Sequence, residues 1–267
     1  MLPSSPAAAP RECCNTVGMS DIWKLASRRS REFDDSAVAY DRYRPRYPDE
    51  LIDDIVELAE VQPGARAIEI GSGTGIATAP LVERGLLVIG IEPSPSMREL
   101  AEEKLGNRAR FVAGRFEDWP STDGVDLIVA FSAWHWVDPR TGVDLVADLL
   151  RPGGSLAVAW TEIISWGQDG FEDRLANVTG APWPKRVEHM LASLRPLAGD
   201  ARFTDFAVRR RRFERSLDAE SFIGLTHTYP GFHSAERDER YRRIIDDELG
   251  GTVTRVEDAV LHVTRRR

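Results

Sequence analysis

Cysteine is nearly absent. The 267 residues hold two, Cys13 and Cys14, side by side in a stretch rich in Pro, Ala and Ser. Adjacent cysteines cannot staple a fold, so a disulfide scaffold is excluded and a reducing cytoplasm is the expected setting. Long apolar runs are missing too, and none approaches the length of a membrane helix. The N-terminus lacks the basic segment and apolar run of a secretory leader. The five histidines are scattered, and neither H-E-x-x-H nor paired C-x-x-C spacing occurs, so no metal site is expected. Positive charge is not in excess. A formal net charge of −8 argues against a nucleic-acid partner held by bulk electrostatics. No internal repeat is visible.

What is present suits a globular core, with 42% hydrophobic and 29% charged residues. The length fits one large α/β domain, or a domain with a modest cap. Residues 1–18 show no period and read as a disordered tail. Met19 resembles an ordinary start, and residues 19–267 read as the domain. The expected state is a monomer or homodimer with a small-molecule partner and no membrane.

The organising stretch is Ala67-Ile68-Glu69-Ile70-Gly71-Ser72-Gly73-Thr74-Gly75. An apolar strand ends in glycines at every second position, which suits a tight turn whose backbone approaches a ligand. Residues 76–82 can open a helix whose free N–H groups face that ligand. A second apolar run, 86–91, ends in Glu92, placed where a carboxylate accepts both hydroxyls of a ribose. This pattern points to a nucleoside cofactor. The dinucleotide fingerprint G-x-G-x-x-G does not fit, because the third glycine falls one residue early, and no Lys follows to make a phosphate loop. Glu69 would repel a pyrophosphate but suits a cationic amine.

The remaining pattern alternates. Strands are predicted at 66–70, 86–91, 110–113, 125–130, 155–161, near 203–214 and within 252–264. Helices are predicted at 75–84, 95–105, 140–150, near 186–194, near 218–226 and at 235–248, with one after Pro48 that Asp49 can cap. Alternation of this kind implies a doubly wound, Rossmann-like α/β fold, a mostly parallel seven-stranded sheet with helices on both faces. Its ligands sit at the carboxyl ends of the strands. Residues 162–202 break the rhythm and read as a helical cap after the fifth strand. The run Arg209–Arg212 reads as an edge strand with its charges turned to solvent.

Further motifs lie at strand ends. Tyr40-Asp41-Arg42-Tyr43-Arg44-Pro45-Arg46-Tyr47-Pro48 is an aromatic and arginine strap in which each residue before a proline is pushed out of helix. It packs on the domain as a surface strap, or brings guanidinium groups to an anionic ligand. The others are Ile91-Glu92-Pro93-Ser94, Gly114-Arg115-Phe116-Glu117-Asp118-Trp119, and Asp126 to Trp136 ending Phe131-Ser132-Ala133-Trp134-His135-Trp136. Together with Glu69-x-Gly71-x-Gly73-x-Gly75 they resemble the class I S-adenosylmethionine-dependent methyltransferases, from about Tyr40 to Arg266. The strap and the His-Trp pair resemble a subgroup that includes trans-aconitate methyltransferase.

That resemblance implies S-adenosylmethionine as cofactor, S-adenosylhomocysteine as product, and a small-molecule acceptor such as a carboxylic acid. It implies cofactor contacts from Glu69, Gly71, Ser72, Gly73, Gly75, Glu92, Pro93, Met97 and Phe131, with Phe116 and Glu117 at the adenine. It places Tyr40, Arg44, Arg46, Trp134 and Trp136 at the acceptor, the indole faces being suited to a sulfonium. His135 is the candidate catalytic residue, as a hydrogen-bond donor to a carboxylate or as base toward a phenol or amine; alternatively its ring is satisfied by backbone at a helix start. A nicotinamide oxidoreductase and a non-catalytic cofactor scaffold are the competing readings.

Overall fold

The computed structural model describes residues 37–120, 124–180, 187–229 and 232–267. The expected tail, 1–18, lies outside these residues, and the strap from Tyr40 to Pro48 lies within them.

Seven strands form one sheet in the order β3-β2-β1-β4-β5-β7-β6. They are β1 (Arg66–Ile70), β2 (Leu87–Glu92), β3 (Arg110–Ala113), β4 (Val125–Phe131), β5 (Leu150–Trp166), β6 (Phe203–Asp218) and β7 (Thr252–Arg266). The first five run parallel, whereas β7 pairs antiparallel with both β5 and β6. The helices are α1 (Ala37–Tyr43), α2 (Asp49–Ala59), α3 (Thr78–Glu83), α4 (Pro95–Leu105), α5 (Pro139–Leu149), α6 (Phe171–Thr179), α7 (Val187–Ala198), α8 (Ala219–His227) and α9 (Ala235–Arg243).

Strand periodicity sorts the core into two layers. Ile68, Ile70, Ile128 and Ala130 face one way, onto Val143 and Val146 of α5 and Met190 and Leu197 of α7. Ala67, Leu127, Val129 and Phe131 face the other way, onto Leu51, Ile52 and Ile55 of α2 and Leu81 of α3. The central strands are therefore apolar on both faces, as a sheet covered on both sides requires. This is the expected doubly wound α/β architecture.

Three local expectations are corrected. Pro48, not Asp49, occupies the cap position of α2, and no side chain caps that helix. The helix after the glycines begins at Thr78, because residues 71–77 are spent on turns and the Thr78 hydroxyl is drawn to Glu69. β5 does not stop near 161. It continues to Trp166 because β7 offers ladder partners as far as Arg255.

That extension carries the sheet beyond the carboxyl ends of its parallel strands, where a third apolar cluster forms. Trp166, Phe171, Leu175, Phe222, Tyr241 and Val253 are among its members. Within the expected cap region, residues 162–202, the two described helices pack differently. The first, α6, joins this cluster together with α8 and α9, while α7 packs on the main core. The arginine run lies in edge strand β6 as expected, and three of its four charges meet carboxylates. Arg211 forks onto Asp54 at 2.7 and 2.5 Å, Arg212 bonds Asp258 at 2.8 Å, and Arg210 meets Glu162 at 3.3 Å.

Candidate functional site

A cavity of about 480 Å³ opens at the carboxyl ends of β1, β2 and β4. Its floor is the glycine turn. Gly71, Gly73 and Gly75 all have positive φ, at 65°, 55° and 76°. The amides of Gly71 and Ser72 both donate to Ile91 O, at 2.9 and 3.2 Å, which folds the turn back over β2. A Cβ on Gly71 would stand 2.7 Å from Ala133 Cβ, so this turn and the end of β4 approach as closely as glycine permits. Gly71 and Gly73 line the cavity. Gly75 does not; it is the seat for Ala101 and Leu105 of α4. The third glycine serves helix packing rather than ligand contact.

Glu92 ends β2 with its carboxylate fixed by backbone. Oε2 accepts from Gly73 N at 2.9 Å and Oε1 from Ser94 N at 2.8 Å. A carboxylate accepts about four hydrogen bonds, so this grip is compatible with a ribose diol. The side chain both clamps the turn and faces the cavity. Pro93, Met97, Phe116 and Phe131 line the same half. Glu117 also lines it, but Oε1 already accepts from Arg115 Nη2 at 2.8 Å and from Asp138 N at 2.9 Å. It thus joins its loop to the start of α5.

Glu69 and Ser72 border a smaller adjoining pocket. Glu69 is buried and accepts from Thr78 Oγ1 at 2.5 Å. Burial above all, with the nearby Glu92 charge adding, pushes its carboxyl up to about 8 despite the threonine bond. It is therefore mainly neutral at pH 7, not the standing anion that its position in the motif suggested. The Ser72 side chain rests over Gly90 of β2, whose Cβ would lie 2.6 Å from Ser72 Oγ.

The strap closes one wall. Arg44 and Tyr47 leave helical geometry as their prolines dictate. Asp41 of α1 accepts from Thr74 Oγ1 at 2.7 Å and from Lys104 Nζ, and Lys104 also donates to Thr74 O at 2.9 Å, so the strap is tied to the glycine turn. Tyr47 packs on Phe131 at 4.8 Å between ring centroids and bonds Ser132 Oγ at 2.9 Å. Ser132 holds φ of 51° at the end of β4, a strained conformation for a residue with a Cβ. Tyr40 and Arg44 line the cavity, whereas Arg46 is exposed and lies outside it.

The His-Trp segment divides similarly. His135 and Trp136 line the cavity, their rings 4.8 Å apart. Trp134 does not: it is buried in the core, with Nε1 donating to Ser193 O at 3.0 Å. An indole expected at the acceptor is a structural anchor for α7.

The far half of the cavity uses residues that sequence reading did not select. Trp160, Glu162, Ile163 and Trp166 come from β5 and its extension, Tyr229 follows α8, and Arg255 stands in β7. Burial would raise the Tyr229 phenol, but the charges of Arg44 and Arg255 outweigh it and bring it down to about 8.

A family described as a methyltransferase domain matches residues 68–158. An uncharacterised methyltransferase of a Geobacillus species is 34% identical over 165 residues, covering 60% of this chain and 70% of that protein. The chain belongs to the methyltransferase family. An uncharacterised methyltransferase of Mycobacterium bovis is 39% identical over 146 residues, covering 52% of this chain, and the match spans 58% of that relative's length. In fold, a methyltransferase-like structure from Anaeromyxobacter dehalogenans aligns with a TM-score of 0.60 at 22% identity, over 83% of this chain and 97% of that one. Among the described residues no helix is long and apolar enough to cross a membrane, and no three His, Cys, Asp or Glu side chains gather as a metal site requires.

Proposed function

We propose that this methyltransferase-family chain binds S-adenosylmethionine and transfers its methyl group to a small molecule in the cytoplasm. The observation that carries this reading is one continuous cavity with two chemically different halves. One half has a glycine turn, a backbone-fixed acidic residue at the end of β2, and Met97 and Phe116 as apolar walls. These suit a ribose and an adenine. Glu69, mainly neutral in its buried pocket, suits a cationic amino group by yielding its proton when that group arrives. The other half is aromatic and holds His135, Arg44 and Trp136.

The bound cofactor supplies a methyl group on a sulfonium, ready for in-line displacement. The chain's contribution is to align the acceptor and exclude water, and near-attack alignment is worth up to about 7–11 kcal/mol. Within small molecules, a carboxylic acid is the finer reading. It needs no base, and Arg44 stands in the cavity wall to orient it. His135 then donates a hydrogen bond to the acceptor.

Calorimetry with S-adenosylmethionine, S-adenosylhomocysteine and NAD tests the reading. Binding of both sulfur compounds with no binding of NAD is expected. Absence of S-adenosylmethionine binding, or preference for NAD, overturns it.

A further inference from the structure

Three arginines and the Glu257 carboxylate meet at the far end of the cavity, whose wall also carries Glu162, held by Trp160 Nε1 at 2.8 Å and Arg210 Nη1 at 3.3 Å. Arg255 of β7 is 2% exposed and Glu257, two residues on, is fully buried. Arg255 Nη2 donates to Glu257 Oε1 at 2.7 Å, and Arg215 Nε of β6 donates to Glu257 Oε2 at 3.2 Å. Arg44 crosses from the strap, donating Nη2 to Thr228 O at 2.8 Å, with its guanidinium 3.9 Å from the Tyr229 ring centroid and 4.9 Å from that of Tyr40. Glu257 neutralises one of the three positive charges.

The donors are not used up. Arg255 Nε and Nη1, Arg44 Nε and Arg215 Nη2 are buried without a hydrogen-bond partner among the described residues. Unmade charged hydrogen bonds in a buried site are costly, so such a set fits an anion that completes it. Arg255 and Arg44 line the cavity itself. Around them stand Trp160, Trp166 and Ile163, which suit an apolar body. Trp166, opposite Arg255, lies seven residues along β5 from Ala159, the partner of Phe131. Arg255 thus stands along the β5 extension beyond the end of β4, while Arg44 also borders the smaller pocket with Gly71, Gly73, Phe131 and Ser132.

Resting on the methyltransferase reading, we propose that Arg255, with Arg44 and Arg215, anchors a carboxylate of the acceptor, which makes the substrate class an organic acid with an apolar body. Tyr229 sets the charge of this anchor. The groups facing its phenol are Arg44 and Tyr40 from the strap, Arg255 and Glu257 from β7, and Arg215 from β6. As a neutral phenol it shares a hydrogen bond with Arg255 but leaves the arginines' positive charge for the ligand. Ionised, it supplies the negative charge itself, so carboxylate affinity falls as pH rises through about 8.

The same chemistry could come from the cofactor's own carboxylate, and the experiment separates the two sources. Phenylacetate and succinate are titrated against their amides by ligand-observed NMR, with S-adenosylhomocysteine saturating. S-adenosylhomocysteine and 5′-methylthioadenosine, which lacks the amino-acid end, are titrated by calorimetry. We expect the parent to prefer carboxylate to amide at least tenfold, and Arg255→Gln to abolish that preference while binding S-adenosylhomocysteine within twofold of the parent. Arg255→Lys should keep part of the preference. Should Arg255→Gln melt early, the double variant Arg255→Gln/Glu257→Gln removes the buried pair together. Tyr229→Phe should leave carboxylate affinity flat from pH 7 to 9. No preference in the parent, or loss of S-adenosylhomocysteine but not 5′-methylthioadenosine in Arg255→Gln, overturns the proposal. Arg255-dependent phenylacetate binding by a parent that binds no S-adenosylhomocysteine would keep the anchor and overturn the methyltransferase reading instead.

Discussion

Glu69→Gln isolates the acidic residue that opens the glycine motif. In the folded protein its carboxyl is pushed up to about 8 from an ordinary 4.5, chiefly by burial. The sign follows from proton counts. Between pH 4.5 and 8 the native state holds a proton on Glu69 that the unfolded chain has released, so stability falls as pH rises through this window and levels off above 8. Each pH unit inside the window is worth about 1.4 kcal/mol. From pH 5 to 8 the parent should lose on the order of 3 kcal/mol from this group alone, after allowance for relaxation around the buried charge. Glutamine keeps an oxygen for the Thr78 hydroxyl but has no proton to lose. Urea unfolding followed by tryptophan fluorescence at pH 5, 6, 7 and 8 should show the variant gaining on the parent at each step. Parallel curves would refute the argument, because they would mean that Glu69 ionises in the native state as readily as in the unfolded one. The cofactor offers an independent readout. At pH 7, binding of the amino-acid end should draw the proton off Glu69, so calorimetry in buffers of different ionisation enthalpy should detect proton release from the parent and less from Glu69→Gln.

Glu92→Ala should weaken S-adenosylhomocysteine binding by about 1–3 kcal/mol, the cost of unmade charged hydrogen bonds, and should also lower the melting temperature because Gly73 N and Ser94 N lose their acceptor; calorimetry and thermal melts check both. Trp134→Phe should cost about 1–3 kcal/mol of stability through the lost bond to Ser193 O and the vacated volume, with cofactor affinity unchanged, which urea melts and calorimetry report. His135→Ala should lower turnover and leave cofactor affinity nearly unchanged, as measured with an acceptor found among organic acids. Parental turnover in that variant would make His135 scaffold.

The cofactor half of the site was legible in sequence because its requirements are local. A strand that must end in a turn with positive φ needs glycine at Gly71 and Gly73, and an acidic residue ending the next strand falls beside it through sheet register alone. Gly75 follows the same spacing but answers to Ala101 and Leu105, 26 and 30 positions further on, and no motif distinguishes a glycine that faces a ligand from one that faces a helix. Trp134 and Trp136 differ by two positions in a short helical turn, which is enough to send one indole into the core and the other into the cavity. Periodicity cannot decide that in a three-residue segment. The anion cluster was the least legible part. Arg44, Arg215, Tyr229 and Arg255 come from four separated stretches: antiparallel pairing sets Arg215 opposite Arg255, and Arg44 joins through Thr228 O and the Tyr229 ring.

That pairing is also what makes the acceptor half possible. In the parallel part of the sheet, β1, β2 and β4 stop at the cavity, and turn residues such as Gly71 and Gly73 line it. β5 and β7 run on past that edge and add a second wall, so only one half of the cavity rests on a glycine turn. The two halves differ in what sequence change would do to them. Substitution at Gly71 forces Ala133 to move, exchange of Trp166 disturbs its packing on Phe171 and Phe222, and exchange of Ile163 changes the cavity wall. On the proposed reading, acceptor choice would reside in the extension of β5, with the arginines opposite selecting for negative charge.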